Sequence, residues 1–99
     1  MLLIEKRHSM ERHEAHISEI RELARKFTPE QIENCIMQQM QEDTNICDIS
    51  GSTEHVVSEL AKAGFVSDLI DKGMSMTDAV RELAKRIRLV QKAFKESEE

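Results

Sequence analysis

Between Met76 and Phe94 the apolar residues Met76, Val80, Leu83, Ile87, Val90 and Phe94 recur at intervals of 4, 3, 4, 3 and 4. That spacing is the a/d seam of an amphipathic helix over nearly three heptads, and a strand with side chains alternating every two residues cannot present it on one face. The segment therefore predicts a helix from about Met76 to Lys95. Twenty helical residues span about 30 Å, more than one small core covers, so the seam also predicts packing against a second subunit.

The rest of the chain follows the same period. Met10, His13, Ile17, Ile20, Ala24 and Phe27 form one stripe of a first helix that starts near Ser9 or earlier and ends at Lys26. In "FTPEQ", Thr28 suits an N-cap, Pro29 the first helical position and Gln31 the partner position of a capping box. The second helix, about Pro29 to Glu42, is expected to turn Ile32, Cys35, Ile36 and Met40 inward. "EDTNICDISGS", residues 42–52, reads as a loop, with Ile46, Cys47 and Ile49 pinning it to the bundle.

From Thr53 the apolar pattern runs through Val56, Val57, Leu60 and Ala63 to Gly64, and then through Phe65, Val66, Leu69 and Ile70 to Gly73. A glycine inside a helix costs about 1 kcal/mol relative to alanine, so Gly64 marks a kink, a cap between two short helices, or a close helix contact. Gly73 suits a helix stop, and Ser75 suits the cap of the last helix. The expected fold is all-α: one domain over residues 1–99, a small bundle of four to five helices with a long C-terminal amphipathic helix, frayed at 1–8 and 96–99.

Charge restricts the functional classes. The formal net charge is −5, which disfavours a dominant nucleic-acid role because phosphates attract an excess of Lys and Arg. Residues 29–75 hold nine acidic and two basic side chains, a net of −7, whereas 76–95 hold two acidic and six basic, a net of +4. Arg81, Lys85, Arg88 and Lys92 lie opposite the apolar seam and form a candidate surface for an acidic protein partner. The opening apolar run is too short for a secretory signal, and no stretch approaches the roughly 18 to 20 apolar residues of a membrane span. Hence the expectation is a cytoplasmic protein with Cys35 and Cys47 as reduced thiols.

Three of the four histidines fall in "RHSMERHEAH". On a helix His13 and His16 share the apolar face near Ile20, while His8 points away. Two imidazoles at i and i+3 can begin a metal site, but zinc takes three or four protein ligands. They are weighed as a metal pair, as a pH-responsive contact, or as ordinary residues of a half-exposed seam. Cys47 is the candidate reactive thiol, and a combined Cys35, Cys47 and His55 site is its extension. "SGSTEH", residues 50–55, holds nucleophile and base types without a nucleophile elbow and is explained by helix capping.

"LIDKGMSMTDAVRELAKR", residues 69–86, resembles the opening of helix-turn-helix DNA-binding segments: a helix ending in glycine, a serine cap, then Ala79, Val80 and Leu83. The resemblance covers under a fifth of the chain. It departs after "ELAKR", where such segments turn into a recognition helix and this chain carries its heptad onward.

The reading is a non-enzymatic interaction or regulatory module, homodimeric, without a cofactor. Ile17, Ile20 and Phe27 with Leu83, Ile87, Val90 and Phe94 are shared between its core and its interface. The alternatives are a metal- or redox-responsive protein using His13, His16 or Cys47, and a DNA-binding regulator with a degenerate helix-turn-helix near 66–90.

Overall fold

A computed structural model describes residues 17–98, with side chains through Lys95. The fold is all-α, four helices without a strand among the described residues. The first is described over 17–26 (α1) and is followed by Pro29–Glu42 (α2), Thr53–Asp71 (α3) and Met76–Glu98 (α4). His8, His13 and His16, and the expected fraying at 1–8, lie outside the described residues.

Local chemistry sets the boundaries. Thr28 caps α2 with a complete capping box: its Oγ1 accepts from the Gln31 backbone N–H at 3.1 Å, and Gln31 Oε1 accepts from the Thr28 N–H at 2.8 Å. Pro29 brings no N–H, so two of the three orphan N–H groups at that helix end are thereby satisfied. Ser52 and Ser75 cap α3 and α4 in the same way, accepting from the backbone N–H of His55 and Asp78, each at 3.2 Å. After α3, Gly73 sits at φ 105°, a conformation that costs glycine nothing. The chain turns there with the Gly73 N–H on the Ile70 carbonyl and the Met74 N–H on the Leu69 carbonyl.

α3 is the central helix, packed between α2 and α4. Val56, Leu60, Ala63 and Val66 are completely buried on it. Around them sit Ile20, Leu23 and Ala24 from α1, Ile32 and Cys35 from α2, and Ala79 and Leu83 from α4. Ser67 Oγ, also buried, donates to the Phe27 carbonyl at 3.1 Å and fastens α3 to the α1–α2 corner. Gly64 does not divide α3. The helix passes through it unbroken, and a Cβ at this position would stand 3.4 Å from Ile32 Cγ2, so the glycine marks close approach to α2.

Two sequence expectations about α2 and its loop are corrected. Met40 is 64% exposed, and the inward position next to it belongs to Gln39, 3% exposed. Gln39 is buried because its amide is fully employed. It donates to Asp43 Oδ1 (3.2 Å) and Thr53 Oγ1 (3.1 Å) and accepts from Asn45 Nδ2 (2.9 Å), and Thr53 in turn donates to Asp43 at 2.7 Å. This knot ties the end of α2 to the start of α3 and satisfies a polar group that would otherwise be costly to bury. Of the three apolar residues expected to pin the loop, Cys47 is buried and Ile49 packs on the core, but Ile46 points outward and is exposed.

Candidate functional site

The outer half of α4 carries the most conspicuous surface. Its inner half is anchored: Ala79 and Leu83 are buried, and Met76, Val80 and Ile87 pack against the core cluster. Beyond Ile87 the helix continues for three more turns past the end of its support, and there Leu89 is 62%, Val90 50% and Phe94 67% exposed. Val90 and Phe94 extend the same a/d seam that is buried at Leu83. Of the seven residues the sequence shares between core and interface, Ile20 and Leu83 belong to the core, Ile17, Phe27 and Ile87 are half-buried, and Val90 and Phe94 are exposed.

The residues flanking the seam decide what it can meet. With Val80, Ile87 and Phe94 at a and Leu83 and Val90 at d, the e and g positions are Thr77, Ala84 and Gln91, and Ala79, Arg86 and Ala93. Only Arg86 among them is charged, and its guanidinium lies 5.6 Å from the centroid of the Phe65 ring on α3. Beside it a groove of about 260 Å³ opens between the end of α3 and α4, lined by Phe65, Leu69 and Leu89 among others.

On the opposite side of α4, Arg81, Lys85, Arg88 and Lys92 are exposed as the sequence predicts. Arg81 pairs with Asp78 at 3.8 Å and Lys85 with Glu82 at 3.5 Å, both within one helical turn. Such exposed pairs contribute at most about 1 kcal/mol. Arg88 and Lys92 form no ion pair among the described residues.

Cys35 and Cys47 require the largest correction. They are joined as a disulfide, with Cα atoms 6.1 Å apart, and both are buried. Position 35 faces the core from α2, and the 43–52 loop returns Cys47 directly over it. Cys47 is therefore no reactive loop thiol, and the combined Cys35, Cys47 and His55 site is excluded because the sulfurs bond each other. Cys47 stands twelve residues after Cys35, a spacing that matches no motif; the loop path that closes it is tertiary information. The bond also pulls against the cytoplasmic expectation, since reducing compartments keep thiols apart.

His13 and His16 lie outside the described residues, so the structure does not place them. It brings together a different set: Glu19 on α1 and His55 and Glu59 on α3, whose ligand atoms lie within 4.8 Å of one another. Their mutual approach joins positions forty residues apart in the chain, beyond any local pattern, although the i, i+4 spacing of His55 and Glu59 was visible.

For residues 69–86, α4 runs without interruption to Glu98, so the turn and recognition helix of a helix-turn-helix segment do not follow. No described helix is long and apolar enough to cross a membrane. No family model, curated protein or solved structure matches this chain.

Proposed function

We propose that this protein is a non-enzymatic interaction module whose binding surface is the outer half of α4, and that its first partner is a second copy of the same chain. One observation carries the reading: the heptad seam that is buried at Leu83 continues, exposed, through Val90 and Phe94.

The flanking chemistry favours a second copy. An acidic partner would be met by basic e and g positions, yet five of the six are uncharged, as Thr77, Ala84, Gln91, Ala79 and Ala93, which limits like-charge repulsion between two copies of α4 to Arg86. The outward cations Arg88 and Lys92 then face the surroundings of the dimer, where the acidic 29–75 region of a second copy supplies the opposite sign.

The energetics permit a reversible dimer. Full burial of a Val or Phe side chain gives about 1.5–3 kcal/mol, and two copies contribute four such partly exposed seam side chains, Val90 and Phe94 of each. Association costs about 4–15 kcal/mol in lost freedom. The surplus is small, which suits a regulated contact.

Sedimentation equilibrium of the full chain tests this reading. The wild type is expected as a dimer at micromolar concentration, and Val90→Asp as a folded monomer, because position 90 does not support the core. The double reversal Arg88→Glu/Lys92→Glu should weaken the dimer without abolishing it. A wild type that stays monomeric, or a Val90→Asp variant that dimerises as tightly as the wild type, refutes the proposal.

A further inference from the structure

Ile46 stands 71% exposed in the 43–52 loop, yet the backbone that carries it is held at three points. Its own N–H donates to Gln38 Oε1 on α2 at 2.9 Å. The Asn45 side chain before it spans the turn, donating to the Ile49 carbonyl at 3.0 Å and accepting from the Ile49 N–H at 3.2 Å. Cys47 after it is bonded to Cys35. An apolar side chain held out on a fixed backbone loses little further freedom on docking, which is the property of a preorganised binding anchor. Between Glu42 and Asp48 the loop carries three acidic residues and no basic one.

The far end of α3 holds a socket of complementary character. The groove between the end of α3 and α4 measures about 260 Å³, below the roughly 300–1,000 Å³ of small-molecule sites and suited to a side chain. Phe65, Leu69, Met74 and Leu89 form its apolar lining, and Lys85 and Arg86 also belong to its wall. Glu82, on the same wall, is paired with Lys85 at 3.5 Å. From Ala84 to Lys95 this helix carries five basic residues and no acidic one, so the field beside the groove is positive where that of the loop is negative.

Loop and groove cannot meet within one chain. Thr53 Oγ1 donates to Asp43 and fixes the loop to the start of α3, whereas Leu69 lies sixteen residues further along the same helix, about 24 Å at 1.5 Å per residue. We propose that the acidic loop of one copy docks on a second copy by inserting Ile46 into its groove of Phe65, Leu69, Met74 and Leu89. The contact is heterologous: a copy that offers its loop keeps its own groove open for the next, so association leads to open chains or rings rather than to a closed pair. It uses neither Val90 nor Phe94 and does not depend on pairing through the α4 seam. One side chain in a small groove falls well below the about 1,200 Å² of stable interfaces, so the contact forms at submillimolar rather than micromolar concentration.

Sedimentation velocity of the full chain carrying Val90→Asp tests this contact apart from the seam. At submillimolar concentration that variant is expected to sediment faster as its concentration rises, and about 0.5 M NaCl should weaken the effect. Adding Ile46→Asp or Leu89→Asp, both at exposed positions and both checked for unchanged helicity, should abolish the association. Mixed in equal amounts, those two variants, one retaining the groove and the other the loop, should form a 1:1 complex and nothing larger. A Val90→Asp chain that stays monomeric up to millimolar concentration overturns the inference. So does undiminished association in the presence of Ile46→Asp, or an equal mixture that remains monomeric. The seam dimer is read separately, from the wild type at micromolar concentration, so either contact can fail without the other.

Discussion

Replacing Gly64 by alanine should make this protein more stable. Gly64 lies in an uninterrupted α3, about three turns from its start and two from its end, and carries the conformational cost of glycine in a helix, about 0.8–1.0 kcal/mol relative to alanine. The new methyl would rest 3.4 Å from Ile32 Cγ2, an ordinary van der Waals distance at its close limit, so it fills space between α3 and α2 without displacing Ile32. Gly64→Ala is thus expected to gain about 1 kcal/mol, which for a domain of this size raises Tm by about 4–8 °C. Gly64→Val adds two further methyl groups toward the same contact and reverses the sign, costing about 1–3 kcal/mol through overpacking. Thermal and urea unfolding followed by far-ultraviolet circular dichroism, with the disulfide intact in all samples, measures both. A Gly64→Ala variant destabilised by more than about 1 kcal/mol would show that the helices meet more closely than described. A Gly64→Val variant as stable as wild type would show that they do not meet there at all.

Gln39→Leu removes an amide from a buried position and leaves Asn45, Asp43 and Thr53 without their shared partner. It should cost about 1–3 kcal/mol despite the gain in apolarity, with faster amide exchange over 43–52, and a more stable variant would contradict the knot. Cys35→Ser/Cys47→Ser opens a covalent loop closed across twelve residues, for which a loss of about 3 kcal/mol is expected in urea unfolding. Alkylation without prior reduction should leave both cysteines of the wild type unmodified, and modification of either under native conditions would contradict the pairing.

The helical period carried most of the fold. The caps at Thr28 and Ser75, the stop at Gly73 and the seam of α4 are local features, written within four residues of where they act, and each could be read directly. What escaped is what depends on the far side of a contact. Gln39 looks like a surface residue because its three partners lie up to fourteen positions away. Met40, apolar and adjacent, drew the inward face of α2 off by about 100°, the rotation of a single residue. Gly64 was open between kink, cap and contact because only the position of Ile32 on a neighbouring helix decides among them. The pairing of Cys35 with Cys47 depends on the path of the 43–52 loop, which no local spacing encodes. At the candidate site the period of the α4 seam is legible in the sequence, but its division into buried Leu83 and exposed Val90 depends on where α3 ends beneath α4.

That division is also where the functional account is most exposed to test. A photoreactive benzophenone amino acid placed at Gln91, which is exposed at an e position flanking the seam, reports what α4 touches in solution. Irradiation should yield a cross-linked species of twice the 11.4 kDa chain, with the cross-link mapping to α4 of the second copy. Cross-links confined to one chain, at concentrations where the protein is otherwise intact, would contradict self-association through this helix.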